Sequence, residues 1–167
     1  SDERIKKEIV DIDDGSALET LRLLKPKQYK YVDEVKGVEP VWGFIAQQVS
    51  NVLPYATKLT TECVPNIYET ASVSDSRVIT FTNYDTTDVG SVLKILDTED
   101  NEHLIHVSEV IDEHSIRVEE DVSAWTGDLD EEGNIIAGDK LFVYGEQVQD
   151  FHTLNKNAIW TVATSAL

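Results

Sequence analysis

Two residues near the start of the chain, Ser1 and Lys6, are of types that together do acyl chemistry. A serine hydroxyl is a weak nucleophile until a base takes its proton. A lysine amine serves as that base when burial or a neighbouring cation lowers its pKa, and Ser-Lys pairs are a known variant of the catalytic triad. Five residues of separation do not place two side chains on one helix face. A turn followed by a strand would fold Lys6 back on Ser1. On spacing alone the plainer reading prevails, an exposed terminus beside one solvated lysine among several.

The remaining candidates are weaker. Cys63 has no second cysteine to pair with, which excludes an intrachain disulfide and fits a small buried hydrophobe. His103, His106 and His114 invite a metal reading, but residues 103 and 106 point to opposite faces of a strand. Asp128-Leu129-Asp130-Glu131-Glu132-Gly133-Asn134 has the acidity of a calcium loop without its regular alternation or terminal glutamate, and reads as a solvated hairpin turn. Neither a metal nor a cofactor is expected. Trp42 and Trp160 lie in apolar stretches and are expected in the core, leaving Trp125 as the tryptophan suited to an exposed platform.

Several elements would have to position these groups. Residues 3–13 alternate charge with Ile5, Ile9, Val10 and Ile12, a short strand or turn-rich segment. Ser16, with Glu19 three residues on, predicts a helix N-cap and capping box, followed by Ala17, Leu18, Leu21 and Leu24 as an apolar face and stopped by Lys25-Pro26. Tyr29 and Tyr31 mark a strand, Gly37 a turn, and Val41–Ile45 a second strand running into a helix over residues 46–53 that Pro54 ends. From Val64 onward the pattern changes to strands at 78–82, 91–96, 103–107, 115–118 and 140–144, spaced as in a small barrel or sandwich. Residues 154–167 return to helix, with Ile159, Val162 and Ala166 on one stripe and Trp160, Ala163 and Leu167 on the next.

With 167 residues, 41% apolar and 28% charged, the chain is long enough to bury a sizeable core. Its net charge of −18 is unevenly spread, being −1 over residues 1–60, −18 over 61–150 and +1 over 151–167. Such acidity excludes a phosphate-binding nucleic-acid surface, and no apolar run approaches the roughly 20 residues of a membrane span.

Ser1-Asp2-Glu3-Arg4-Ile5-Lys6-Lys7-Glu8-Ile9, the leucine helix, Lys25-Pro26 and Tyr29-Lys30-Tyr31 resemble the opening of the endosialidase-type C-terminal intramolecular chaperone. Gly43-Phe44-Ile45-Ala46-Gln47 with Leu53-Pro54 is similar to that family's second hallmark, and Leu154–Leu167 to its closing helix. The likeness covers residues 1–58 and 150–167. It implies a domain of phage tail spikes, giant-virus fibre proteins and a membrane-tethered transcription factor that joins three chains, lets an upstream fibre fold, and then cuts itself off. The resemblance places the cut before Ser1, with Ser1 as nucleophile, Lys6 as base and Asp2 orienting them, so that Ser1 becomes the first residue of the released piece. Gln48 stands where the family usually has an acidic residue.

The expectation is therefore an α+β chain with a chaperone frame over 1–62, an acidic β-rich insertion over 63–149, and a C-terminal helix over 150–167 that completes the frame. Its expected partners are two further copies and an upstream fibre or spike in the same polypeptide, with no nucleic acid and no membrane. A virus-encoded protein working in the host cytoplasm, or carried on the virion, is implied. The rival reading is a trimeric binding module whose acidic insertion recognises a receptor or glycan.

Overall fold

The computed structural model describes residues 1–85, 88–129, 131–132 and 135–167. It is mixed α and β, as the sequence pattern predicts. The chain divides into two units, one of residues 1–31, 36–60 and 152–167 and one of residues 32–35 and 61–151. The first unit holds ten basic and eight acidic side chains, the second four basic and twenty-four acidic, so that net charges of +2 and −20 make up the −18.

The first unit is built on three helices. The N-cap of helix α1 (Asp14–Leu23) lies three residues before the expected one, because the Asp13 carboxylate accepts the Ser16 N–H at 2.8 Å and is itself the cap. Asp and Ser are comparable caps, so the first suitably placed side chain sets the start. Strands β1 (Lys27–Tyr29) and β2 (Val41–Gly43) form an antiparallel ribbon, after which α2 (Ala46–Val52) leads into Pro54. Helix α3 (Lys156–Ala166) is capped by Asn155 and packs on α1. Ala17, Leu24, Val49, Leu53, Ala56, Ala158, Ile159 and Val162 form this unit's core.

Two tryptophans depart from expectation. Trp42 is 84% and Trp160 74% exposed. The ribbon is only two strands wide and successive side chains alternate across it, so Trp42 faces away from its strand neighbours, its Nε1 donating to Gln28 Oε1 at 2.9 Å. Helix α3 buries the stripe of Ile159 and Val162, which turns Trp160 and Leu167 outward. Residues 3–13 form no strand, only a single 3-10 turn over Glu3–Ile5, and every residue from Ser1 to Asp14 is exposed.

The second unit is a barrel. Strands β3 (Thr57–Cys63), β4 (Glu69–Ser74), β5 (Val78–Thr80), β6 (Val92–Leu96), β7 (Glu102–Val110), β8 (Ser115–Val118), β9 (Gly127–Leu129) and β10 (Ile135–Leu154) pair in the order β3-β10-β4-β5-β8-β7-β6. A further pairing of β6 with β10 closes six of them into a ring, while β9 adds to β10. Closure removes the free edges that an open sheet would expose. Inward positions carry Ala71, Ile79, Leu93, Ile95, Ile105, Val107, Ile116, Val118, Leu141 and Val143, all nearly or fully buried, at the period of two that a pleated strand imposes. The register of β10 against β6 slips between Val143 and Gly145, just past the last residue that it pairs with β4. A Cβ on Gly145 would lie 1.7 Å from the Val64 carbonyl oxygen, so only glycine fits that bend.

Residues 32–35 join this unit through Asp33, whose Oδ2 accepts the Tyr144 hydroxyl at 3.1 Å, and Glu34, whose N–H donates to Tyr68 Oη at 3.2 Å. Burial and then the Asp33 bond push the Tyr144 hydroxyl up to about 12. Lys94 Nζ lies 3.8 Å from the centre of the same ring, a cation held against an aromatic face.

Candidate functional site

Ser1 and Lys6 flank the 3-10 turn of Glu3–Ile5, which forms because Asp2 accepts the Arg4 N–H at 2.8 Å and the Lys6 N–H returns to the Glu3 carbonyl at 2.9 Å. Extended backbone at Lys6 follows the turn, without the strand that the sequence pattern predicts there. Both residues are exposed, and no hydrogen bond joins the two side chains in the single chain described. The Asp2 carboxylate is engaged elsewhere than expected: Arg4 grips both its oxygens at 2.7–3.2 Å, which holds Asp2 below the usual carboxylate range. Asp2 therefore organises the turn rather than touching Ser1 or Lys6.

Beyond the turn the segment buries nothing. Ile5, Ile9, Val10 and Ile12 are all more than half exposed. A groove of about 770 Å³ opens between residues 10–14 and the outer face of α3, where Trp160, Thr161, Thr164 and Ser165 line it. It holds apolar side chains from Val10, Ile12 and Trp160 next to the carboxylates of Asp11, Asp13 and Asp14.

The barrel's candidates resolve differently. His103 faces inward and His106 outward on β7, as strand alternation requires. The His103 ring stacks on Trp125 and its Nε2 meets Asp97 Oδ2 at 2.8 Å. This half-buries Trp125, the tryptophan expected to be exposed. The bond from His103, together with backbone N–H bonds from Glu99 and Asn101, draws Asp97 down to about 2. His106 Nδ1 lies 2.5 Å from Glu120 Oε1, and the His106 N–H donates to Glu120 Oε2 at 2.8 Å. Side-chain bonding to Glu120 raises His106, and for Glu120 the same bonds outweigh a burial effect of opposite sign. Glu119 completes a trio whose ligand atoms lie within 4.8 Å of one another, a grouping missed in the sequence because pairing across strands, not spacing, brings Glu119 and Glu120 to His106. Asp130, Gly133 and Asn134 of the acidic loop lie outside the described residues.

Cys63 lies in a recess of about 280 Å³ with Lys94, Glu102 and Gln147, and burial raises its thiol, which disfavours the reactive thiolate. No described helix is long and apolar enough to cross a membrane.

A curated relative, the "Uncharacterized protein VP1" of Micromonas pusilla reovirus (isolate Netherlands/2005), is 32% identical over 207 residues. The alignment takes in 100% of this chain and 11% of that protein, so the chain spans about a tenth of the length of the viral protein it matches. The barrel is thus shared with a much longer viral chain, whereas a match of known description falls on the other unit. Residues 1–58, from the Ser1–Lys6 turn through α1, the ribbon and α2, match the family described as chaperone of endosialidase.

Proposed function

We propose that the chain is the intramolecular chaperone of a longer viral fibre-like protein, which gathers three copies and then severs itself from the upstream chain before Ser1. The observation that carries the reading is the family match over residues 1–58, which spans the Ser1–Lys6 turn and the elements behind it. The exposed apolar side chains support it as well: Ile5, Ile9, Val10, Ile12, Leu23, Trp42 and Trp160 all belong to the first unit, where assembly would cover them.

In the scission, neutral Lys6 takes the hydroxyl proton as Ser1 Oγ attacks the carbonyl carbon of the residue before it. The C–N bond then breaks, the proton passes from Lys6 to the departing Ser1 amine, and the upstream chain is left as an ester on Ser1 Oγ. Water hydrolyses that ester, restoring the serine and leaving a carboxylate upstream. Chaperone action follows from tethering. Intertwined fibre strands have non-local contacts whose closure cost precedes their reward, and joining three chains at one place raises their effective concentration. Scission afterwards leaves the fibre kinetically trapped.

The test is a precursor carrying the natural upstream sequence. Wild type cuts itself without additives, while Ser1→Ala and Lys6→Ala each give an uncut but folded assembly. Unchanged scission at the same bond in both variants would falsify the dyad. The rival reading, recognition of a glycan by the barrel, has less support, since the Trp125 face it would use is covered by His103.

A further inference from the structure

We infer that the groove between residues 10–14 and α3 receives the segment Arg4–Ile9 of a second copy of this chain. The inference rests on the proposed trimeric reading and gives it a contact. In the single chain Arg4–Ile9 lines no part of the groove, and Ile5 and Ile9 are 80% and 62% exposed. The two surfaces complement each other. The groove offers Val10, Ile12 and Trp160 beside Asp11, Asp13 and Asp14, with no basic residue lining it. The segment offers two isoleucines with Lys6 and Lys7, Arg4 being already neutralised by Asp2. Ile5 ends the 3-10 turn and Glu8, the segment's one carboxylate, takes a bend with φ of 55°, so the exposed Ile5 and Ile9 bracket Lys6 and Lys7, an apolar-basic-apolar series matched to an apolar and acidic wall.

Chain geometry selects a neighbouring copy as occupant. Ile9 is bonded directly to Val10, which is itself part of the groove wall, so the chain's own segment would have to reverse at or beside its Glu8 bend to lie there, and in the single chain it does not. A neighbour's segment enters without reversal, and donation from each copy to the next closes a ring of three with identical contacts. In the single chain the segment that carries Ser1 and Lys6 is held by no described contact beyond its own turn, and the neighbour's groove supplies one.

The test is disulfide trapping in the Cys63→Ser chain. Ile9→Cys and Thr164→Cys, made as separate variants and mixed through a dissociation and reassociation cycle, should yield a two-chain species at least about tenfold above either variant alone. A one-chain crosslink in the double variant, with none between chains, would assign the groove to the chain's own segment and overturn the inference. Charge exchange gives a second readout: Lys7→Glu and Asp11→Lys should each weaken assembly by about fivefold and together restore it. Wild type that sediments as a trimer yet shows neither interchain trapping nor charge rescue sinks this contact alone. Wild type that stays a single chain at tens of micromolar sinks the trimeric reading with it.

Discussion

The His103 imidazole lies on the Trp125 indole with 4.2 Å between ring centres and 18° between planes. Its Nε2 is fixed on Asp97, and Trp125 packs in turn against the barrel core. One side chain, His103, thus joins an aromatic stack to a hydrogen bond, and Trp125 carries the stack to the core.

The first prediction concerns acid. Asp97 ionises near 2 in the fold against an ordinary value of 3.8, so its contribution is present above about 3.8 and is lost as pH falls towards 2. Thermal melts of wild type and Asp97→Asn should converge over that interval and differ above it. A difference unchanged between pH 6 and pH 2 would refute the assignment.

The sign reverses for His106. Its pKa is raised above 6.5, so its bond to Glu120 stabilises the barrel below about 6.5 and fades as pH rises through the raised value. Solvent screening at this exposed pair limits the effect to about 0.5 kcal/mol. His106→Gln should therefore melt closer to wild type at pH 8.5 than at pH 5.5. An NMR titration that places the His106 pKa below 6.5 would rule this out.

At the slip in β10, Gly145→Ala forces a methyl group onto the Val64 carbonyl and Asn66 Oδ1. Shifting that backbone should cost more than about 2 kcal/mol in urea unfolding, well beyond an ordinary glycine substitution in a strand. A loss below 0.5 kcal/mol would mean that the bend has room.

At the start of α1, Asp13→Ala removes the acceptor of the Ser16 N–H and should lower stability by about 1 kcal/mol, whereas Ser16→Ala should cost less than half of that. Equal losses in the two variants would return the cap to Ser16.

Most helices and strands were legible because their signals are local. Pro26 and Pro54 end helices, Gly37 takes φ of 115° in a turn, and Leu93, Ile95, Ile105 and Val107 alternate as inward positions do. Strands β3 and β4 escaped notice because Thr57–Cys63 and Glu69–Ser74 are largely polar, and what makes them strands is pairing with β10, far away in sequence. The full 20-residue length of β10 was hidden by Gly138-Asp139, which reads as a turn. Trp42 and Trp160 were misjudged for a related reason. Hydrophobicity marks a side chain as one to be covered, and a sequence does not say whether its own chain supplies the cover. At the candidate site the residue types of Ser1 and Lys6 were legible, but a relation between two exposed side chains is not encoded in spacing.

The core of the first unit joins Ala17 and Leu24 to Ile159 and Val162. Nearly all of the barrel's sequence lies between these two sets, so a ribosome must make the barrel before it makes the helix that completes the first unit's core. Synthesis therefore acts as a clock. However early α1 and α2 emerge, the unit carrying Ser1 and Lys6 stays without a closed core until α3 is made, after the whole of the barrel.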